Sequence, residues 1–313
     1  MEIRPFQGKD ELDLLDVWHR ALSRDRISDS LFRSQVLLDP NFHPDYVPVA
    51  IEDGRVVGFI LCLARQVPYF LQGMDRTEAW ITAFGVHPDY RGRGIGSALF
   101  AYIIGKLRGE GRANVDISPY VPNYFVPGID TSAYPDTIRF LQERIGFETL
   151  YHAISMGADL TGFQIPDDIQ ARIERGEAEE GLTIRPIEAA DIPDLMPFLV
   201  EHFGWDWFRF AQSYLLEYFG DSPHRICFLI ARERGEVVGF CQQRNERFGP
   251  FGVRPDCRNR GIGRMLLFKC LEQMSAKHVF YAYFLWTDED AARLYSLAGF
   301  ERRREFAVMR KLL

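Results

Sequence analysis

The sequence predicts an α+β protein of two domains in tandem, each a mostly antiparallel mixed sheet flanked by helices. Three observations predict it: an internal duplication, strand pairs turned by glycine, and a helical apolar pattern directly after an Arg/Gly-rich loop in each half. At 313 residues the chain exceeds one ordinary core and suits two.

The duplication reads in four anchors. Ile3-Arg4-Pro5 recurs as Ile184-Arg185-Pro186, and Gly54-Arg55-Val56-Val57-Gly58-Phe59 as Gly235-Glu236-Val237-Val238-Gly239-Phe240, both 181 residues apart. Gly85-Val86 pairs with Gly252-Val253 and Gly146-Phe147 with Gly299-Phe300, at separations of 167 and 153. The falling separation marks two 14-residue extensions confined to the first copy, Gln66 to Ala79 and a stretch between Asp116 and Pro135. Both are rich in aromatics and proline. They can line a pocket or pack on their own rings, and the sequence leaves both open. The expected domains are 1–163 and 182–313. Between them lies an acidic, Gly-bounded linker, 164–181, with a weak helical pattern over Ile165 to Arg175.

Each copy repeats one order of elements. A first strand (around Ile3, or Leu182 to Arg185) leads to a helical stretch, then to a hairpin turned at Gly54 or Gly235 with apolar flanks. A further strand ends at Phe84-Gly85-Val86 or Phe251-Gly252-Val253. Helices follow, with Ile95, Leu99, Ile103 and Leu107 on one face in the first copy, and Ile262, Leu266 and Cys270 in the second. A late strand (Ala113 to Ile117; Val279 to Leu285) precedes a helix ending at Gly146 or Gly299, and a last strand closes each copy.

Composition excludes several classes. The net charge of −7, with 16 basic against 21 acidic residues in 1–163 and 19 against 17 in 182–313, argues against nucleic acid as a partner. No apolar run approaches about 18 residues and the N-terminal stretch lacks a signal-peptide core, so a cytoplasmic protein with no membrane partner is expected. Cys62, Cys227, Cys241, Cys257 and Cys270 are odd in number and show no metal-ligand spacing, so they read as small hydrophobes and no metal is expected.

Positive charge is concentrated in two loops, Arg91-Gly92-Arg93-Gly94-Ile95-Gly96 and Arg258-Asn259-Arg260-Gly261-Ile262-Gly263. Each precedes a helix, whose free N–H groups and dipole favour an anion, and glycine lets the backbone approach a bulky phosphate. A dinucleotide loop would follow a first strand and carry a third glycine; a Walker A loop would carry Gly-Lys-Ser/Thr. Neither pattern is present.

With their flanks, Val86-His87-Pro88-Asp89-Tyr90 and Val253-Arg254-Pro255-Asp256-Cys257, both loops resemble the acyl-CoA loop of the GNAT acetyltransferases, as does the tail Tyr295 to Phe300. The resemblance covers nearly the whole chain outside the linker. It implies acetyl-CoA as co-substrate, held at Val86, Arg91, Gly92, Arg93, Gly94, Ile95 and Gly96, and at Val253, Arg258, Asn259, Arg260, Gly261, Ile262 and Gly263. It also implies direct attack by an amine on the acetyl thioester, with backbone groups near Phe84 to Val86 or Phe251 to Val253 polarising the carbonyl.

Tyr295 matches the family's proton-donating tyrosine, and a phenol of pKa about 10 suits a thiolate leaving group. The first copy carries Gln142 there, which cannot donate a proton in the same way, so the second domain is expected to be catalytic. Glu78 and Glu246 precede the equivalent strands as weak base candidates, His87 reads as a turn residue, and Asp288 stands where many relatives carry asparagine. Two other arrangements stay open. Either the first domain is active, with Tyr120, Tyr124 and Phe125 as substrate wall, or both domains bind acetyl-CoA or a partner without catalysis. The acceptor is a small-molecule amine or a peptide N-terminus, and its identity and the oligomeric state are not encoded in any motif.

Overall fold

The computed structural model describes residues 1–220 and 223–313. The chain forms two compact units: residues 1–153 with 304–313, and residues 154–303.

In the first unit, β1 (Glu2–Pro5), α1 (Glu11–Ala21) and the short α2 (Asp29–Phe32) precede the hairpin of β2 (Pro48–Glu52) and β3 (Arg55–Ala64). Then come β4 (Glu78–Val86), α3 (Ile95–Gly109), β5 (Asn114–Ile117), β6 (Ile129–Asp130), α4 (Pro135–Phe140) and the start of β7 (Glu148–Asp159). Strand β3 is buried on both faces: Val57, Ile60 and Cys62 meet Leu99 and Ile103 of α3, while Val56, Phe59 and Leu61 meet Leu14 and Trp18 of α1. A strand covered by helices on both faces reads as a continuous apolar run, and Arg55-Val-Val-Gly-Phe-Ile-Leu-Cys-Leu-Ala64 does. Its glycine has a reason, because a Cβ at Gly58 would lie 3.1 Å from the Leu99 side chain of α3.

The second unit takes the rest of β7, then α5 (Asp167–Arg175), β8 (Leu182–Pro186), α6 (Ile192–Phe203), α7 (Trp205–Tyr218), β9 (Ile226–Glu233), β10 (Glu236–Arg244) and β11 (Arg247–Val253). It continues through α8 (Ile262–Ala276), β12 (Tyr281–Phe284), α9 (Glu289–Ser296) and the start of β13 (Glu301–Leu312). The packing repeats: Val238 and Cys241 of β10 face α8, and Val237 and Phe240 face α6 and α7.

Two features depart from the sequence reading. The segment 164–181, expected as a solvated linker, carries α5, whose Ile169 and Ile173 are buried in the core built on α8. Amphipathic spacing over only nine residues made that helix look weak in sequence. The last strands are also exchanged. Residues Met309 to Leu312 of β13 pair antiparallel with Ile117 to Asn114 of β5 in the first unit's sheet. Residues Met156 to Asp159 of β7 pair with Phe284 to Tyr281 of β12 in the second. Each sheet is therefore closed by the other repeat's final strand.

Candidate functional site

In the first unit β4 and β5 run parallel and paired only from Glu78↔Asn114 to Ile81↔Ile117. The last bond at this fork is Ser118 N to Ile81 O, 3.2 Å. Beyond it Thr82 to Val86 line one wall of a cavity of about 930 Å³, a size suited to a substrate site. Backbone groups on this edge, beyond the pairing with β5, need partners, and a ligand with amide groups would provide them.

The loop from Val86 forms the cavity's mouth. Arg91 folds back, its Nε donating to Val86 O (3.2 Å), which fixes the turn. Gly92 and Gly94 sit at φ +74° and +79°, a left-handed geometry that disfavours a side chain, and a Cβ at either would meet nothing within 4 Å. Gly94 caps α3, so the free N–H groups of the first turn open beside Gly94, Ile95, Gly96 and Ser97 on the cavity wall. Arg93 is turned aside, toward Glu52 (3.5 Å) and the Tyr90 ring. The open glycine cradle fits a pyrophosphate. At the other end, the buried Ser118 Oγ has no partner among the described residues and lies beside the fork, where a ligand polar group would satisfy it.

Opposite the loop, Trp18, Leu22, Asp25, Phe125, Ile129, Asp130 and Tyr134 complete the wall. Trp18 Nε1 donates to Asp25 O (2.7 Å), and its ring meets Phe125 edge-on at 4.9 Å. Arg304, from β13, donates from Nη1 and Nη2 to Asp25 Oδ1 and Oδ2 (2.7 and 3.1 Å) and from Nε to Asp130 Oδ2 (2.6 Å). Tyr134 donates to Asp25 Oδ2 at 3.2 Å. Burial and then the Asp25 charge push the Tyr134 phenol above its ordinary range. Burial pushes the Asp130 carboxyl up, but hydrogen bonds from Ser132 and Arg304 outweigh it and the net shift is downward.

The second unit builds the same loop and fills the fork. Arg258 Nε donates to Val253 O (3.2 Å), Asn259 and Gly261 are left-handed at φ +62° and +84°, and α8 starts at Ile262. Arg260 pairs with Glu233, the repeat of Arg93 with Glu52. From α5, Arg172 Nη2 reaches Arg260 O at 3.3 Å. Strands β11 and β12 pair at Arg247↔Tyr283. Above that point lie the rings of Phe248, Phe251, Phe284, Tyr295 and Phe300, with Tyr295 4.2 Å from Phe284 and 5.7 Å from Phe251. Phe203 and Trp207, stacked at 4.7 Å, cover Gly252, where a Cβ would sit 2.5 Å from the Phe203 ring. Pro250 stands where the first copy has Ala83, so this edge lacks one backbone donor.

Of the residues singled out in the sequence, Val86, Arg91, Gly92, Gly94, Ile95, Gly96 and Phe125 come together on the cavity wall. Tyr295 lies in the ring cluster, 9% exposed, its phenol pushed well up by burial. Gln142 is exposed and bonds Thr149. Tyr120 is buried away from that wall, accepting from Asn41 Nδ2 (2.7 Å) and donating to Asp39 Oδ1 (3.0 Å), and Tyr124 is buried outside it too. Tyr69 of the first extension and Tyr120 of the second meet under one cation: the Arg65 guanidinium lies over Tyr69 (4.1 Å), Tyr120 and Trp80. Glu78 is held near Arg310 (3.7 Å), its carboxyl raised chiefly by burial, and Glu246 is exposed at a turn. Asp288 caps α9, accepting from Ala291 N at 2.8 Å. His87 accepts from Asp89 N, a turn residue.

Asp25, Asp130, Tyr134 and Arg304 escaped the sequence reading. Arg304 is 279 positions from Asp25, and no local spacing signals such a contact.

Each unit thus sets a fork between two parallel strands beside a glycine-capped helix. The profile of the acetyltransferase (GNAT) family matches residues 13–123 and again 192–300. The chain belongs to the GNAT acetyltransferase family. An acetyltransferase of Sodalis glossinidius is 32% identical over 37% of this chain and 74% of its own length. A mycothiol acetyltransferase of Frankia casuarinae is 24% identical, spanning 81% of this chain and 71% of that one. Among solved structures, a GCN5-related N-acetyltransferase of Sphaerobacter thermophilus covers 99% of this GNAT protein and 95% of its own chain, with a TM-score of 0.71 at 19% identity. This chain is thus a tandem GNAT N-acetyltransferase. Among the described residues, no helix is long and apolar enough to cross a membrane.

Proposed function

We propose that the first unit moves an acetyl group from acetyl-CoA to a primary amine, while the second unit is a folded repeat without turnover. One observation carries this reading: the fork of the first unit opens into a cavity under a clear glycine cradle, whereas aromatic rings fill the equivalent fork of the second. The chemistry thereby moves from the second copy, where Tyr295 pointed, to the first.

Gly92, Gly94 and the first turn of α3 would hold the pyrophosphate, and the edge Thr82 to Val86 would take the amide-bearing arm. The bound co-substrate supplies an activated acetyl thioester. The chain's own residues orient the amine, exclude water with Trp18 and Phe125, and manage protons. We assign to Tyr134, the phenol on the cavity wall, the proton-donor role expected of Tyr295. A phenol is protonated at neutral pH, and burial raises its proton affinity further.

Thiol release from acetyl-CoA with a panel of amines tests this. Gly94→Asp puts a negative charge and a side chain into the cradle and is expected to cut turnover on the order of 100-fold or more, with Gly261→Asp near wild type. Tyr134→Phe is expected to cost about 10²-fold and Tyr295→Phe less than about twofold. Loss in the Gly261 and Tyr295 variants alone would return the active site to the second unit. Binding of acetyl-CoA without thiol release from any amine would favour a sensing role.

A further inference from the structure

We infer that the cavity of the first unit accepts a primary amine carried on an apolar or aromatic body, with Asp25 as the anchor of its ammonium group and Arg304 as the positioning residue behind Asp25. The inference rests on the reading above and names the acceptor class for that site.

Hydrogen-bond capacity singles out Asp25. A carboxylate accepts about four hydrogen bonds. Asp130 Oδ1 already takes Ser132 N, Ser132 Oγ and Ala133 N, and Oδ2 takes Arg304 Nε; its side chain is 0% exposed. Asp25 takes two from Arg304 and one from Tyr134, leaving a position on Oδ1, and its side chain keeps 11% exposure on the cavity wall. An ammonium group brings the donor and charge that this position lacks.

The surrounding wall sets the rest of the ligand. Trp18, Phe125 and Tyr134 are aromatic, with Leu22, Val126 and Ile129 beside them. Rings around a cation add attraction through their faces. Trp18 spends its N–H on Asp25 O, so the indole offers no donor to a sugar hydroxyl. The cations at this end are engaged: Arg20 with Asp16 (2.9 Å), Arg24 near Asp130 (3.7 Å) and Arg304 with both aspartates. At this end, among the described residues, an acceptor bearing a carboxylate or phosphate would meet Asp25 and Asp130 beside cations already engaged with carboxylates, a costly arrangement.

The step balances within this site. The ammonium loses one proton, its nitrogen attacks the acetyl carbonyl carbon, and the carbon–sulfur bond breaks with its electron pair on sulfur. Sulfur takes up a proton as nitrogen sheds its second, giving an N-acetyl amide, free coenzyme A thiol and one proton released.

The test compares 2-phenylethylamine and hexylamine with glucosamine, glucosamine 6-phosphate and glutamate, using full-length protein, acetyl-CoA and thiol release. The two apolar amines are expected to show kcat/KM values on the order of tenfold or more above the others. Asp25→Asn is expected to raise the KM for phenylethylamine on the order of tenfold with acetyl-CoA affinity unchanged. Arg304→Gln should raise the same KM more than it lowers kcat, with Arg304→Lys recovering part of the loss. Preference for the aminosugar, its phosphate or the amino acid, with acetyl-CoA bound normally, overturns the inference, as does an unchanged KM in Asp25→Asn. Should Asp25→Asn fail to fold, the ranking of amines by the wild type decides. Failure of acetyl-CoA to bind, measured by calorimetry, instead overturns the assignment of the cavity itself.

Discussion

Arg4 and Arg185 each hold an aspartate six residues on, and the pairs are copies of one another. Asp191 accepts from Arg185 (2.7 Å), Arg232 (2.9 Å) and Glu188 N (2.9 Å), much as Asp10 accepts from Arg4 (2.6 Å) and Gln7 N (2.8 Å). Burial alone would raise the Asp191 carboxyl, but these bonds outweigh it and bring it to about 2. A carboxyl lowered on folding contributes stability above its unfolded value near 4, and that contribution is lost as pH falls toward 2. Asp191→Asn is therefore expected to lower the unfolding free energy measured with urea at pH 7 by roughly 1–2 kcal/mol, and by much less near pH 2.5. Equal losses at both pH values would mean that the side chain acts through packing rather than charge. In sequence this residue only follows the repeated start Ile184-Arg185-Pro186, with no motif of its own. Its partner Arg232 comes from β9, 41 positions away, and no spacing rule reaches it.

At the scale of elements, hairpins, glycine-capped helices and their order follow from local pattern, and that is why they were legible. The exchange of last strands was not. β7 and β13 are both 12-residue strands following equivalent Gly-Phe turns, so either satisfies either sheet and nothing local assigns the partner. A domain cut at residue 163 consequently lacks the strand that pairs with β5. Ending the chain after Arg303 would leave Asn114 to Ile117 unpaired on that side and remove Arg304 from Asp25 and Asp130. Such a chain is expected to melt at least several degrees lower and to lose thiol release, whereas deleting Leu313 alone should change little. Unchanged melting and turnover in the chain ending at Arg303 would show that the first unit does not depend on β13.

For the whole molecule, the two repeats share an Arg/Gly-rich loop down to a hydrogen bond and differ in what fills the fork. Loop motifs are short and contiguous, so both copies read alike in sequence. Fork volume depends on side chains brought together from three separate stretches of chain: Ile81, Ala83, Ile117 and Gln142 in the first copy stand where the second has Phe248, Pro250, Phe284 and Tyr295. Tyr295 matched a family motif, yet in the structure it is a core residue, one of five rings packed 4.2–6.5 Å apart in the second fork. Opening that space would cost the second core several kcal/mol of ring packing. A chain with two equivalent loops is therefore expected to bind a single equivalent of acetyl-CoA. Titration calorimetry should give one site per chain. Gly94→Asp should abolish it, and Gly261→Asp should leave stoichiometry and affinity within about twofold of wild type. Melting temperature measured alongside separates a lost site from a lost fold, since ligand binding raises it only where the site survives. Two equivalents in the wild type, one of them removed by Gly261→Asp, would show that the second fork opens in solution and would make the tandem a pair of binding sites.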